Sequence, residues 1–209
     1  MYVPTAFEMG DDEIRRFLHE AGAGDLVTRG AGGLLATLLP FVYDETAGEF
    51  GTLRGHVARN NEQWQDVLDE EALVILHGPD GYVTPSWYAT KHEHGRVVPT
   101  WNYVTAHVYG QLRVQDDVDF VRSVVHELTA KHEARRDAPW AVGDAPARYV
   151  EGQLRAIVGV ELLITRVHAK AKLSQNRSDA DIDGVIGGLR ESGQHHMADQ
   201  VETHRPRPL

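Results

Sequence analysis

The stretch from Trp101 to Val114, WNYVTAHVYGQLRV, shows the clearest alternation of side-chain types in the sequence. Successive side chains of a β-strand point to opposite faces of the sheet, so this strand has one apolar face and one aromatic and polar face. The apolar face carries Val104, Ala106, Val108, Leu112 and Val114. A strand of this length bends around a barrel or runs past its neighbours, so the stretch predicts a large sheet or barrel.

Most strand patterns precede this stretch, and most helical patterns follow it. Strands are predicted over 25–29 and 34–43, joined as a hairpin by the turn 30–33, and over 51–57, 71–77 and 160–167. Helices are predicted near 11–21, over 60–68, on the apolar stripes 121–128 and 150–158, and on the stripe 182–189, which Ser178 and Asp181 open as a capping box. Residues 78–98 are predicted to be a long loop. This order is typical of an α+β fold around an antiparallel sheet, and not of a βαβ series.

The composition describes an acidic globular chain. Its 209 residues include 21 Lys and Arg, 31 Asp and Glu, and 12 His, which gives a formal net charge of −10. The sequence contains no cysteine, which excludes disulfides, thiolate metal sites and cysteine nucleophiles. The negative charge repels a phosphate backbone and so opposes direct DNA binding.

We expect one domain over residues 1–190 and a frayed C-terminal tail over residues 191–209. The N-terminus carries neither the basic nor the apolar segment of a secretion signal. No apolar run approaches the roughly 20 residues of a membrane-spanning helix. We therefore expect a cytoplasmic protein that has no contact with a membrane.

Four clusters of residues combine cations, aromatic rings and side-chain amides. They occupy residues 54–64, 81–88, 98–103 and 172–177. Arg59 beside the free N–H groups of a helix start suits an anion, and the two cations in the last cluster suit a phosphate. Trp87 and Tyr88 offer flat surfaces, and Asn102 can donate to and accept from the edge of a heterocycle. Together the clusters suit flavin mononucleotide (FMN) or another phosphorylated planar ligand.

Each cluster taken alone also has an ordinary structural explanation. The four explanations are a solvated N-cap, a surface loop held by its own aromatics, a strand start and a solvated turn. His92, His94, His195 and His196 could bind a metal, but loop histidines of this kind are more often solvated, so we expect no metal site. No residue is identifiable as a catalytic acid or base, and the serine-hydrolase and zinc-helix motifs are absent.

Five segments in the same order resemble the PaiB family, which is described as a family of FMN-binding negative transcriptional regulators. The segments are Met-Tyr-x-Pro-x-x-Phe from Met1, Gly-Thr-Leu-x-Gly-His-x-Ala-Arg-x-Asn-x-Gln-Trp from Gly51, Pro-Ser-Trp-Tyr from Pro85, Val-Pro-Thr-Trp-Asn-Tyr from Val98 and Lys-Leu-Ser-Gln-Asn-Arg from Lys172. The match extends from Met1 to about Leu189. The resemblance implies an FMN-binding split β-barrel of Greek-key type with peripheral helices, similar to pyridoxamine-phosphate-oxidase-like proteins. It also implies a homodimer with two FMN sites, each drawing residues from both subunits.

The resemblance assigns the FMN-binding residues to these segments. Those near the phosphate and ribityl chain would be His56, Arg59 and Asn61; those walling the site would be Ser86, Trp87 and Tyr88; those approaching the ring or phosphate would be Thr100, Trp101 and Asn102; and those closing it would be Lys172, Ser174, Gln175, Asn176 and Arg177. Two positions depart from the family pattern. Leu38 stands where family members often have histidine, and Glu62 stands where they often have proline.

Three hypotheses of function follow. The first is an FMN flavoprotein, with redox chemistry on an unidentified small molecule as an FMN-dependent oxidoreductase. The second is a transcriptional regulator that acts through flavin sensing or a protein partner. The third is a haem-binding or haem-degrading split barrel, in which a histidine would ligate the iron.

Overall fold

The structure is a computed structural model that describes residues 1–67 and 71–206. The strands are β1 (Ala23–Gly30), β2 (Gly33–Pro40), β3 (Val42–Asp44), β4 (Thr52–Ala58), β5 (Glu71–Val83), β6 (Thr100–Gln115) and β7 (Ile157–Lys172). The α-helices are α1 (Asp11–Glu20), α2 (Thr90–His94), α3 (Val118–Glu133), α4 (Ala147–Leu154), α5 (Asp179–Glu191) and α6 (His195–Thr203). Short 3₁₀ helices occupy Thr5–Phe7, Glu62–Trp64, Pro85–Trp87 and Val142–Asp144.

The seven strands form one sheet in the order β2-β1-β5-β6-β7-β4-β3. The pairs β1–β2, β1–β5, β3–β4 and β4–β7 are antiparallel. The first hairpin is closed at Gly30 and Gly33, and Gly33 adopts a φ of 117°, which favours glycine. The α+β fold with an antiparallel sheet is therefore confirmed.

The patterns with a clear local signal are confirmed. Helix α1 begins at Asp11 as predicted, and β6 places Val104, Ala106 and Val108 in the core. The predicted apolar face is wrong at the end of the strand, where Val114 is 38% exposed. The side chain of Ser178 accepts a hydrogen bond from the backbone N–H of Asp181 and caps α5. The Asp181 carboxylate instead accepts from the backbone N–H of Thr90, at 3.0 Å.

Three predicted elements are wrong in part. The loop predicted from residue 78 begins only after β5, and its remainder contains the 3₁₀ helix Pro85–Trp87 and helix α2. The stripe 150–158 is split, because α4 ends at Leu154 and the β-branched residues from Ile157 onward begin β7. The helix predicted over 60–68 is a single 3₁₀ turn capped by Asn61, and its last predicted residue lies outside the described residues.

The chain divides into two compact units that alternate along the sequence. Unit 1 comprises Met1–Asp11, His77–Ala106 and His168–Leu209; unit 2 comprises Asp12–Leu76 and His107–Val167. Each of the strands β5, β6 and β7 contributes residues to both units. The single domain over residues 1–190 stays a prediction.

The core of unit 2 includes a cluster in which Val42 packs with Val124 and Leu128 of α3. A buried amide also ties its strands together, because Gln63 Nε2 donates to the Leu26 carbonyl and to Thr28 Oγ1, each at 3.0 Å. These bonds hold the end of β4 and the segment after it against the first hairpin.

In unit 1, the C-terminal helices α5 and α6 pack together. Residues 195–203 form α6, and Met197, Ala198 and Val201 are buried, so the expectation of a frayed tail is wrong for this segment. Met197 and Val201 are four residues apart on one helix face, a short stripe that the surrounding polar residues conceal in the sequence. Residues 207–209 of the predicted tail lie outside the described residues. No helix within residues 1–67 and 71–206 is long and apolar enough to span a membrane.

Candidate functional site

The start of β6 and the end of β7 are joined in unit 1 by Lys172. Its ammonium group donates hydrogen bonds to the hydroxyl of Thr100 and, at 2.7 Å, to the carbonyl of Trp101. The strands are neighbours in the sheet, which places these residues side by side although 71 positions separate Trp101 from Lys172. The structure thus brings together the clusters 98–103 and 172–177.

The turn that follows β7 is held by buried side chains. Asn102 Nδ2 donates to Ser174 Oγ at 3.1 Å, and both residues are buried. Ser174 has a φ of 69°, a left-handed conformation that costs a residue with a Cβ atom of order 1 kcal/mol or more. Gln175 accepts from the Leu173 N–H at 2.7 Å and donates to the Ala171 carbonyl at 2.6 Å. These bonds fix the backbone from which Asn176 and Arg177 extend.

Arg177 extends toward the cluster 81–88. Its guanidinium lies 4.6 Å from the ring centroid of Tyr88, which is buried. Burial raises the pKa of the Tyr88 hydroxyl, and the Arg177 charge opposes that rise. The hydroxyl therefore stays protonated at neutral pH, and Tyr88 supports Arg177 as a ring surface.

Three cations lie close to one another in this turn, which we call the cationic turn (residues 170–177). They are Lys170, Lys172 and Arg177. Burial, followed by the charges of Lys170 and Arg177, lowers the pKa of Lys172. Within the described residues, no ion pair joins any of the three to a carboxylate. Unneutralised cations with mutual repulsion form a site that favours an anion.

Lys170 was not among the residues identified from the sequence. It is only 8% exposed, and its ammonium lies 5.4 Å from the ring centroid of Tyr103. Its position two residues before Lys172 on a strand places both side chains on one face of β7. That period of two is the signal from which Lys170 could have been identified.

Of the predicted aromatic walls, Trp87 packs against α5. A Cβ atom placed on Gly188 would lie 2.2 Å from Trp87 Cε2, and one placed on Gly184 would lie 1.9 Å from the Trp87 carbonyl. The Trp87 ring therefore lies against Gly188 and the Trp87 backbone against Gly184, in a groove that a side chain at either position would fill. The neighbouring Ser86 is exposed and accepts a hydrogen bond of 3.1 Å from Lys91.

Trp101 instead presents its ring to solvent. Its side chain is 50% exposed, it pairs with Tyr82 at a centroid distance of 6.2 Å, and its Nε1 donates to Asp80 at 2.8 Å. The two exposed rings are tilted by 56° to each other and form an aromatic surface in the same unit as the cationic turn. Tyr82, which was not identified from the sequence, belongs to this surface.

The first predicted cluster lies in unit 2 and has other partners there. The Arg59 guanidinium donates to both carboxylate oxygens of Asp116, at 2.9 and 2.5 Å, and to the carbonyls of Arg155 and Ile157. Asn61 Nδ2 donates to Thr37 Oγ1 at 3.0 Å. Within unit 2, Arg59 is thus neutralised by the carboxylate of Asp116, which is 57 residues away in the sequence.

His56 of this cluster lines a cavity of about 260 Å³. Its Nδ1 atom is buried and makes no hydrogen bond within the described part of the chain. Burial lowers the pKa of His56, so its imidazole is neutral at pH 7. A neutral imidazole is a poor partner for a phosphate, because phosphate recognition relies on charge-assisted donors.

A family model described as "Putative FMN-binding domain" matches residues 1–166. The Protease synthase and sporulation protein PAI 2 of Bacillus subtilis is 32% identical over 204 residues, which cover 97% of this chain and 95% of that protein. The chain belongs to the FMN-binding PaiB family. Uncharacterized protein AN0679 of Emericella nidulans is 36% identical over 187 residues, with 74% of each chain covered.

Solved structures confirm the fold of this PaiB-family chain. The conserved hypothetical protein Rv2991 of Mycobacterium tuberculosis superposes with a TM-score of 0.59 at 14% identity, over 85% of this chain and 94% of that one. The FAD and heme binding protein of Mycobacterium smegmatis gives a TM-score of 0.58 at 18% identity, over 85% of this chain and 79% of that one. The fold is the split β-barrel that the sequence resemblance implies.

FMN is the cofactor of this family, and the chemistry of the cationic turn fits its phosphate. A phosphate monoester carries about −1.5 to −2 charges at neutral pH. Lys170, Lys172 and Arg177 supply three positive charges that no carboxylate of the described residues neutralises. The exposed rings of Tyr82 and Trp101 are of the type on which planar heterocycles stack.

Proposed function

We propose that this chain is an FMN-dependent redox protein in which the cationic turn binds the cofactor's phosphate. The observation that carries the proposal is the group of three cations without a carboxylate partner on a chain whose net charge is −10. The positive charges of the cationic turn repel one another, and this repulsion is unfavourable. An anionic ligand bound there removes the repulsion.

The proposal gives a role to the cationic turn and to the residues around it in unit 1. Lys172 and Arg177 donate to the phosphate, and Lys170 adds charge from its more buried position. Asn102 and Ser174 hold the turn in its left-handed conformation, and Trp101 with Tyr82 provides the surface for the ring. Bound FMN supplies the electron and hydride transfer that the side chains of this cysteine-free chain do not supply.

The cluster over residues 54–64 lies in unit 2, so it has a different role in the proposal. The family resemblance implies that each FMN site draws residues from two subunits, so we assign Arg59 and Asn61 to the contribution of the second subunit. His56 is not part of this assignment, because its neutral imidazole is a poor partner for a phosphate. Support for a homodimer comes from β2, which lies at the edge of the sheet and exposes Leu34 (79%) and Leu38 (66%). Exposed leucines on an edge strand are typical of a surface that a second chain covers.

FMN titration tests the proposal. The purified protein is titrated with FMN, and binding is followed by the quenching of flavin fluorescence. Because charge-assisted hydrogen bonds contribute about 1.5–3 kcal/mol, Lys172→Met and Arg177→Met are each expected to raise the Kd about 10- to 100-fold. Arg190→Met is the matched control, since Arg190 lies in the same unit and is paired with Glu202 at 2.6 Å.

The same titration can overturn the proposal. An absence of FMN uptake by the native protein, or equal affinities in all four proteins, would contradict it. Redox activity is tested on the loaded protein by adding NADPH without oxygen and recording the loss of the visible flavin absorbance. A flavin that stays oxidised with NADPH, and also with NADH, restricts the protein to flavin binding.

Haem is a second candidate, because the structurally similar FAD and heme binding protein of Mycobacterium smegmatis is described as binding it. Hemin added to the protein is expected to give a Soret band that one histidine substitution removes, if haem is the ligand. A spectrum identical to that of free hemin excludes this candidate.

Transcriptional regulation stays a hypothesis. The net charge of −10 opposes direct DNA binding, so regulation would act through a flavin-dependent protein contact. A gel shift that shows no salt-sensitive DNA binding is the expected result.

A further inference from the structure

Unit 2 contains a cavity of about 260 Å³, which we call the His56 pocket. Ten residues from β4, α3, α4, β7 and the segment between α3 and α4 line it, and six of these ten are aliphatic. The two aromatic ones, Trp140 and Tyr149, are 48% and 60% exposed and therefore lie where the pocket meets solvent. The pocket contains no Lys, Arg, Asp or Glu in its lining.

His56 lines the pocket and carries a ring nitrogen that lacks a partner. Its Nδ1 atom is buried and forms no hydrogen bond with the residues that the structure describes. Buried polar atoms are paired in the large majority of cases, and an unpaired one costs about 1–3 kcal/mol. The site is therefore incomplete without a further hydrogen-bonding group.

The charges around His56 are already balanced. Arg54 lies two residues earlier on β4, so its side chain leaves the same face of the strand. Its guanidinium pairs with Glu127 of α3 at 2.6 Å and lies 3.6 Å from Asp44. An uncharged ligand beside His56 therefore leaves no charge without a partner, whereas an anionic one would be buried among aliphatic side chains.

We infer that the His56 pocket binds a small uncharged aromatic hydroxy compound of the phenol class. A phenolic hydroxyl both donates and accepts, so it pairs with His56 Nδ1 in either tautomer of the imidazole. The aromatic ring packs against the aliphatic lining and against Trp140 and Tyr149. The volume lies just below the roughly 300–1,000 Å³ of common ligand pockets, which restricts the occupant to about one or two rings.

This pocket is separate in composition from the proposed phosphate site. Its lining residues all belong to unit 2, and the cationic turn belongs to unit 1. The inference therefore does not depend on the proposed FMN-binding function, and either can fail without the other.

The test compares p-cresol with toluene, which has the same ring and methyl group but no hydroxyl. Binding to the full-length protein is followed through the indole NH resonance of Trp140, which Trp140→Phe identifies. p-Cresol is expected to give a saturable shift with an affinity about tenfold higher than that of toluene. His56→Phe is expected to lower the p-cresol affinity to that of toluene and to leave toluene binding unchanged.

Two alanine substitutions separate pocket binding from binding elsewhere. Ala145 lines the pocket, so Ala145→Phe fills it and is expected to abolish the saturable shift. Ala147 is exposed in α4 and does not line the pocket, so Ala147→Phe is the control and retains binding. Equal affinities for p-cresol and toluene, a shift that survives Ala145→Phe, or displacement of p-cresol by FMN would each overturn the inference.

Discussion

The side chain of Asn102 donates a hydrogen bond of 3.1 Å to the hydroxyl of Ser174, and this pair joins the start of β6 to the turn after β7 inside the core of unit 1. Both side chains are buried, and the left-handed backbone conformation of Ser174 is strained. The pair sets the direction in which the turn continues toward Arg177. Its contribution is therefore to position the cationic turn.

The first prediction separates the hydroxyl of Ser174 from its backbone conformation. Both Ser174→Ala and Ser174→Gly leave the buried Asn102 amide without its partner, which costs about 1–3 kcal/mol. Only the alanine keeps a Cβ atom at positive φ, so the glycine variant is expected to be more stable than the alanine variant by about 1 kcal/mol. Urea unfolding of both variants measures the difference, and equal midpoints would contradict the strain at this position.

The second prediction concerns the groove in α5 that holds Trp87. In Gly188→Ala the new Cβ atom would meet the Trp87 ring at 2.2 Å, so a loss of about 1–3 kcal/mol in unfolding free energy is expected. Gly187, one position earlier, has nothing within 4 Å of such an atom. Gly187→Ala is therefore expected to stabilise α5 by up to about 1 kcal/mol through helix propensity.

Thermal unfolding of the two α5 variants checks this contrast. A third protein, Gly188→Ala combined with Trp87→Ala, tests the cause: with the ring removed, the added cost of the alanine at position 188 should largely vanish. If Gly187→Ala and Gly188→Ala change stability equally, Trp87 does not occupy the groove.

The elements that could be predicted from the sequence are those with a local signal. The alternation in β6 and the serine cap of α5 depend on residues close in the chain, and both are present. The continuation of β5 to Val83 has no such signal, because Gly78, Pro79 and Gly81 are typical of turns. Gly81 lies close to a residue that is distant in the sequence, since a Cβ atom there would lie 2.5 Å from Gln194 Oε1.

In the candidate site, too, the residues could be identified from the sequence but their contacts could not. The residues of the clusters 98–103 and 172–177 were identified by their chemistry, but their contacts join positions 71 and 72 residues apart and follow only from the neighbouring strands. The partner of Arg59 is likewise distant, since Asp116 lies 57 residues along the chain. Chemistry-bearing residues can thus be found in a sequence, whereas the carboxylates that neutralise some of them require the fold.

The third prediction is a pH dependence of FMN affinity. The pKa of Lys172 is lowered by burial and by neighbouring cations, and an anion binds its charged form. The affinity for FMN is therefore expected to fall as the pH rises through that depressed pKa, at a pH below the usual lysine value. Lys172→Arg keeps its charge throughout, so its affinity should stay level. Kd values from pH 7 to 10 at constant ionic strength compare the two, and parallel profiles would contradict a role for Lys172.

The fourth prediction concerns the exposed leucines of β2. Leu34→Glu combined with Leu38→Glu places two charges on the edge-strand surface proposed for the second subunit, and burying them unpaired is costly. Light scattering during gel filtration measures the result: the proposal expects a dimer for the native protein and a monomer for the variant. Val118→Glu changes an apolar residue that is 45% exposed on α3 and serves as the control. A double variant that stays dimeric would place the interface elsewhere.

The fifth prediction links the burial of His56 to stability in acid. Burial lowers the pKa of His56 in the folded state below its ordinary value of 6.5, so the unfolded chain binds a proton more readily than the folded one. The contribution of His56 to stability is therefore fully present above about pH 6.5, the pKa in the unfolded chain. The free energy of unfolding falls with decreasing pH until the pKa of the folded state is reached.

His56→Gln removes this titration, so the free energy of unfolding is expected to decline less below pH 6.5. Urea unfolding from pH 5 to 8 measures the decline, and equal slopes for the native protein and His56→Gln would contradict the prediction. Saturating p-cresol should steepen the native decline by stabilising the neutral imidazole, and leave the decline of His56→Gln unchanged.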